Sequence, residues 1–173
     1  MFGLYEFFPE SYHGAARFSY EGRMEELQKV IILSLYQLNL GKGKLRSCRS
    51  AQPKMSAILE FGIADGITFS YLDREMWTYY RKNSRKQPFQ TLDFLCIARY
   101  YVAAGDKQKP LRFDYYILRF LFQESEVEVQ VFHEKGTQRL SVGDLIAVLV
   151  KRFNREMQKR KLGHLRKSYL RML

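Results

Sequence analysis

Alternation of apolar and polar residues predicts several β-strands, because successive strand side chains point to opposite faces of a sheet. The clearest case surrounds Asp65-Gly66. Leu59, Phe61 and Ile63 alternate with their neighbours before this pair, and Ile67, Phe69 and Tyr71 resume the alternation after it. Asp-Gly between such segments is typical of a type I′ hairpin turn, whose two central residues need positive φ. Further strands are predicted at 2–8, 14–20, 91–102, 112–122 and 126–133.

A spacing of three and four residues between apolar positions predicts two helices. The first, 23–38, opens with Glu25 and Glu26, which suit the positive end of a helix dipole. The second, 141–162, begins at Ser141 with Asp144 three residues on, close to a capping box, and ends before Gly163. A further short helix is predicted within 164–173, with Leu165, Tyr169 and Met172 on its inner side.

Together these elements predict an α+β fold. An antiparallel β-meander sheet of about five to seven strands would be packed by the helix at about 23–38 and the long C-terminal helix at about 141–162. Residues 1–173 form one domain in this interpretation, with a basic C-terminal tail, 151–173. The element order resembles that of helix-grip folds, in which a curved sheet wraps the last helix over an apolar cavity. This resemblance is at the level of the fold alone.

Two cysteines, Cys48 and Cys96, are too few and too far apart for a disulfide framework. They indicate a reducing compartment. The first ten residues lack the basic start of a signal peptide, and no apolar run approaches the ~18 residues that a membrane span needs. A soluble, cytoplasmic protein without membrane contact is therefore expected.

The formal net charge of +11 is unevenly distributed. Residues 151–173 hold nine bases and one acid, residues 41–54 hold five bases and residues 81–86 hold four, the last two without an acid. Segregated charge produces a directional field and favours a polyanionic partner, since clustered bases gain affinity by releasing condensed counterions. The alternative is a solvated surface that only keeps the chain soluble.

Aromatic residues adjoin these bases and suggest a second mode of contact. Exposed aromatic rings stack on unpaired bases in proteins that hold single strands. Trp77 and Tyr80 precede Arg81 and Lys82. The predicted nucleic-acid-binding residues are Lys42, Lys44, Arg46, Arg49, Trp77, Tyr80, Arg81, Lys82, Arg85, Lys86, Arg155, Lys159, Arg160, Lys161, Arg166 and Lys167.

Catalytic and cofactor motifs do not emerge from the sequence. Gly41-Lys42-Gly43-Lys44 lacks the spacing of a phosphate loop, and the three histidines show no metal-ligand spacing. Asp114, among aromatic residues, would suit a general acid if burial raised its pKa, but such an acid more often pairs with a nearby base. No catalytic residue, metal or cofactor is predicted.

Three functions fit these observations. The leading prediction is non-catalytic binding of nucleic acid, with RNA or single strands favoured, through the basic loops 41–54 and 81–86 and the basic C-terminal helix. The second is a helix-grip-like domain with an apolar ligand or substrate cavity under that helix. The third is a protein-interaction subunit that docks on an acidic partner.

Overall fold

A computed structural model describes residues 2–41, 45–46 and 55–173, with residues 45 and 46 described in their backbone alone. This part of the chain forms three helices and a ten-stranded antiparallel sheet. The helices are α1 (Met24–Asn39), α2 (Arg74–Lys86) and α3 (Val142–Lys159). The strands are β1 (Gly3–Leu4), β2 (Gly14–Ser19), β3 (Leu45–Arg46), β4 (Met55–Asp65), β5 (Thr68–Tyr71), β6 (Thr91–Ala104), β7 (Lys107–Pro110), β8 (Asp114–Phe122), β9 (Glu126–Lys135) and β10 (Arg166–Met172).

The sheet runs in the order β1-β5-β4-β6-β8-β9-β2-β10, with β3 beside β4 and β7 beside β6. All three helices lie on one face. There α1 packs against β4 and lies between α2 and α3, while α3 crosses β9 and β2. Strand β2, from the start of the chain, therefore lies between two strands from its end.

The core between sheet and helices follows from the alternation seen in the sequence. Every second residue of β8, from Asp114 to Phe122, is buried beneath the helices. Phe120 meets Phe153 of α3 with ring centroids 5.9 Å apart. α1 is apolar on nearly every side because α2 and α3 flank it, and Val30, Ile31 and Ile32 have no exposed surface.

The opposite face of the sheet is partly covered by the N-terminal segment. Tyr5 packs on Phe69 and donates a hydrogen bond to Asp93. The Asp93 carboxylate also accepts two bonds of 2.8 Å from Arg119. Burial, followed by the adjacent Asp93, raises the pKa of Tyr5 to about 12. Tyr5 thus attaches the N-terminal segment to a bidentate ion pair that joins β6 and β8.

A buried polar network fixes the loop that leads into α3. Asp114 is wholly buried and accepts hydrogen bonds from the Tyr100 hydroxyl at 2.7 Å and from the backbone N–H groups of Gln138 and Arg139. His133 Nε2 lies 3.0 Å from the same carboxylate. Gly136, at φ +118°, passes so close to Asp114 that a Cβ atom would clash with it. The start of α3 is therefore held by a specific carboxylate.

The predicted α+β class, with an antiparallel sheet and helices from each half of the chain, is confirmed. The sheet has more strands than expected because short strands join its margins. Helix α2 was not predicted, and the prediction of a loop at 81–86 is wrong, because these residues form the C-terminal half of that helix. The hairpin at Asp65 is confirmed, but its turn residues are Gly66 and Ile67, since Asp65 pairs with Thr68. Positive φ at Gly66 alone matches a type II′ turn, not type I′.

The predicted helix within 164–173 is wrong, because this segment forms β10. Strand β2 leaves one margin unpaired after it bonds to β9, and residues 166–172 fill that margin. Leu165 is buried as expected, whereas Tyr169 and Met172 are 47% and 44% exposed. The basic tail is consequently helix up to Lys159 and strand from Arg166, with a turn between them.

Candidate nucleic-acid interface

The C-terminal end of α3 is closed by two backbone hydrogen bonds. Leu162 N–H donates to Met157 O at 3.0 Å and Lys161 N–H donates to Gln158 O at 3.1 Å, which is the Schellman arrangement. This arrangement needs a left-handed residue, usually glycine. Lys161 occupies that position at φ +58°. A lysine therefore stands where backbone geometry favours glycine, and backbone strain of this kind is often associated with functional positions.

Asn154 ties the chain beyond this turn back to the helix. Its side chain accepts a hydrogen bond from Leu165 N–H at 2.6 Å and donates one to Leu165 O at 3.4 Å. Between these points Gly163 turns the chain at φ +78°. The side-chain amide thus fixes the distance between α3 and the start of β10.

An open groove lies between α3 and this turn. Its volume is about 660 Å³. The helix supplies two bases, Lys151 and Arg155, and the amides of Asn154 and Gln158; the turn supplies Lys161, Gly163 and His164. A smaller cleft of about 230 Å³ adjoins it, shares Gly163 and His164, and extends to Arg166. The lining therefore combines cations with hydrogen-bond donors.

Positive charge in the groove is weakly neutralised. Glu156, the one acid of this segment, pairs with Arg160 at 3.2 Å and with Lys159 at 3.7 Å. Within the part of the chain that the structure describes, neither Lys151, Arg155 nor Lys161 forms an ion pair. Burial, and then the charge of Arg155, lowers the pKa of Arg152. The groove lining therefore carries three cations, Lys151, Arg155 and Lys161, that an anion could neutralise.

The bases of β10 divide between the two faces of the sheet. Cross-strand partners share a face, so Lys167, opposite Phe18, lies on the helix side together with the groove. Arg166, opposite Ser19, lies on the other side. Of the predicted C-terminal set, Arg155 and Lys161 line the groove, Arg166 lines the adjoining cleft, and Lys159 and Arg160 are engaged with Glu156.

The predicted bases of 81–86 lie on α2, on the far flank of α1 from α3. The side chains of Arg81, Lys82, Arg85 and Lys86 are exposed. They form a second basic surface near the same end of the helix layer. The ends of α2 and α3 both lie near the start of α1. Phe89, just beyond α2, is hydrogen-bonded to Gln28 of α1. The pKa of Glu26, also on α1, is lowered mainly by its hydrogen bond from Lys29 and in part by the charge of Arg160, just beyond α3.

Neither predicted stacking residue presents a fully exposed ring. Tyr80 is 7% exposed and its hydroxyl donates to Ala64 O at 2.9 Å, so it belongs to the core and is not available for stacking. Trp77 is half-buried and already lies under the Arg81 guanidinium, 5.6 Å from the ring centre. The exposed aromatic ring on α2 is Tyr79, at 57%.

Part of the predicted site lies outside the described residues. Lys42, Lys44 and Arg49 belong to that part, and Arg46 is described only in its backbone, within β3. The predictions for these four side chains therefore remain predictions.

The acids considered for catalysis are engaged in structural contacts. Burial raises the pKa of Asp114, but hydrogen bonds from Tyr100, His133 and two backbone N–H groups outweigh it, so the pKa is lowered overall. A lowered pKa does not suit a general acid at neutral pH. Among the described residues, no three His, Cys, Asp or Glu side chains are grouped to hold a metal ion. No helix in that part of the chain is long and apolar enough to cross a bilayer.

Sequence reasoning missed the groove itself. Lys151, Asn154, Gln158 and His164 line it but were not among the predicted binding residues. The helical spacing of Lys151, Arg155 and Gln158 places them on one flank of α3 and was visible in the sequence. The position of the turn opposite that flank was not, because it depends on β10 being a strand. Compared with family models, curated proteins and solved structures, the chain shows no match to any.

Proposed function

We propose that this protein binds nucleic acid without catalysis, and that the groove between α3 and the 161–164 turn contacts the phosphate backbone. The observation that carries the proposal is the convergence of Lys151, Arg155 and Lys161 on one open groove without an acidic partner among the described residues. Phosphates neutralise such clusters and release counterions, which makes binding favourable and dependent on salt.

The amide groups and the imidazole in the groove support a nucleic acid over a simple polyanion. Asn154 already uses its amide on Leu165, whereas Gln158 and His164 are exposed beside the cations. Such groups donate and accept hydrogen bonds at sugar hydroxyls and base edges. Since Tyr80 is buried, the preference for RNA or a single strand rests on these polar groups and on Tyr79, which is exposed. We also propose that the protein acts in the cytoplasm, a reducing compartment that suits its two cysteine thiols.

The first test is fluorescence anisotropy with single-stranded RNA, single-stranded DNA and duplex DNA. Titrations at about 50 and about 200 mM salt would compare wild type with a groove variant, Lys151→Ala, Arg155→Ala and Lys161→Ala. Loss of three phosphate contacts should reduce the slope of log K against log salt by about 2 to 3. The matched control, Lys107→Ala, Lys109→Ala and Arg112→Ala, removes the same charge from the exposed β6–β7 hairpin and its flank. Equal losses of affinity in both variants would refute the groove as the binding site.

A single substitution separates binding from folding at the same residue. Lys161→Gly relieves the left-handed backbone at φ +58° and should raise the free energy of unfolding by about 0.5–1 kcal/mol. It should nevertheless weaken nucleic-acid binding several-fold, since a cation of the groove is lost. Urea unfolding should show higher stability for this variant, and anisotropy on the same sample should show weaker binding. Tighter or unchanged binding would contradict the proposed role of Lys161.

The other two predictions remain untested. Under α3 the structure places the buried side chains of Leu149, Phe153 and Met157, which pack directly toward the sheet. This packing gives no specific support to an apolar ligand cavity there.

A further inference from the structure

Strand β10 is an open edge of the sheet. In the described part of the chain it pairs with β2 on one side only, at the end of the strand order. All seven of its residues are exposed. An unpaired strand edge carries backbone N–H and C=O groups ready to bond to another strand, and natural proteins usually cover or blunt it.

The hydrogen-bond phase shows which groups face outward. Leu173 N–H donates to His13 O at 2.9 Å, so Leu173 points its backbone toward β2. Bonding alternates along an antiparallel pair, so Arg171 points the same way, opposite Ala15. Leu170 and Met172 alternate with these two residues and have the opposite phase. Their N–H and C=O groups therefore point away from β2, toward the open edge.

The side chains at this edge are apolar on one face and basic along its length. Leu170 and Met172, opposite Ala16 and Gly14, are on the helix side and are 46% and 44% exposed. Met172 also lies against Gly143 at the start of α3. Three bases, Arg166, Lys167 and Arg171, occur in the strand and no acid does.

Charge argues against a second copy of the chain as the occupant. Full antiparallel overlap of two β10 strands would centre on Tyr169 and place Lys167 of one copy opposite Arg171 of the other, twice. Like charges directly opposite each other in a sheet are destabilising. The bulge between Lys167 and Tyr169 further breaks the regular ladder needed for such a pair. An acidic strand would remove the charge repulsion, and its backbone bonds to Leu170 and Met172 would lie beyond the bulge.

We infer that β10 is a docking edge for an extended acidic segment of a partner polypeptide, which would add to the sheet as a further strand. Backbone bonds to Leu170 and Met172 would supply affinity, and carboxylates near Lys167 and Arg171 would supply specificity. This edge is separate from the groove, and the inference does not depend on the nucleic-acid proposal.

The test uses synthetic peptides of about ten residues. One alternates Glu with Val or Thr; a second has the same charge but a central proline; a third has Lys in place of Glu. Anisotropy should show the acidic peptide binding at least about tenfold tighter than both others. Hydrogen exchange of the Leu170 and Met172 amides should slow when it binds. Equal affinity for the proline-interrupted peptide would mean attraction by charge alone and would overturn the inference.

A matched pair of variants tests the backbone contact. Leu170→Pro removes the outward N–H while sparing the bonds to β2, because proline is tolerated on the free side of an edge strand. Leu170→Ala keeps the backbone N–H but, like the proline variant, removes most of the leucine side chain. The proline variant should lose at least about tenfold in peptide affinity and the alanine variant much less, with urea unfolding confirming that both remain folded. Equal affinities for both would reject strand addition.

Two further results would overturn the inference by identifying another occupant. Light scattering that shows a dimer, together with slow exchange at Leu170 and Met172 in the free protein, would mean that a second copy covers the edge. Slow exchange caused by single-stranded RNA but not by the acidic peptide would make the edge part of a nucleic-acid surface.

Discussion

At the scale of the residue, single polar side chains decide local geometry. Asp114 organises the loop before α3 through four partners, and Asn154 organises the turn after it through two backbone atoms of one residue. Lys161 completes the end of the helix at the cost of a left-handed backbone. Each end of α3 is therefore positioned by specific hydrogen bonds as well as by apolar packing.

Asp114→Asn should destabilise the fold strongly. The amide keeps the size of the carboxylate but turns an NH2 group toward donors that need an acceptor, so we expect a loss of about 2–4 kcal/mol in the free energy of unfolding. The pKa of Asp114 is lowered by folding, so its contribution is present above the unfolded pKa of about 3.9 and is lost as pH falls through the folded value.

Urea unfolding of wild type and Asp114→Asn at a series of pH values from about 7 to below the unfolded pKa of about 3.9 would check this contribution. The variant should lose stability at pH 7 and show a smaller further loss in acid than wild type. Asp106→Asn, an exposed acid in the β6–β7 turn, is the control and should remain near the wild-type midpoint at pH 7. Parallel acid profiles for wild type and Asp114→Asn would contradict the assigned role of the carboxylate.

At the scale of the element, the sequence predicted most strands and two of three helices because their patterns are local. Ser141 indeed caps α3, accepting from Asp144 N–H at 3.1 Å. Helix α2 was missed although Asp73, which accepts from Met76 N–H at 2.9 Å, is a recognisable N-cap. Residues 166–172 gave no local sign of being a strand, since that depends on the vacant margin of β2. The groove depends on the same pairing and was not predictable.

Asn154→Ala should detach β10 from α3 without unfolding the protein. The substitution leaves Leu165 N–H and C=O without their side-chain partner, and we expect a loss of about 1–2 kcal/mol in the free energy of unfolding. Amide exchange in β10 should accelerate more than exchange in β8. Gln158→Ala, on the same flank of α3, is the control and should leave β10 exchange unchanged. Uniform acceleration in both strands would show general destabilisation instead.

At the scale of the whole molecule, acids and bases are concentrated in different elements of the described chain. The acids of β9 face away from the helices, where Glu128 pairs with Arg17 at 2.9 Å. Among the described residues, cations are in surplus on α2, on the C-terminal half of α3 and on β10. The sequence predicted this segregation by counting alone, but which bases converge required the fold.

Buried phenols set an alkaline limit to stability. Burial raises the pKa of Tyr80 to about 12, while an unfolded tyrosine has a pKa of about 10. Above pH 10 the unfolded chain releases protons that the folded chain keeps. Stability is therefore complete below pH 10 and falls as pH rises toward 12.

Urea midpoints between about pH 8 and 11 would test this with Tyr80→Phe. The variant should be less stable at pH 8, since it loses the bond to Ala64 O, but its alkaline decline should be shallower. Tyr79→Phe, which removes an exposed hydroxyl from the neighbouring residue, should match the wild-type midpoint at pH 8. An equally steep decline in Tyr80→Phe would argue against the buried phenol as a cause.

The position of β2 between β9 and β10 also affects how the chain folds during its synthesis. Gly14, the first residue of β2, is translated long before Glu126, the first residue of β9. At about 5–20 residues per second, roughly 6 to 22 s pass between them. For that time β2 has neither neighbour, and its closure over so many residues makes folding slow. The nascent chain must keep this strand from pairing elsewhere until its C-terminal third emerges.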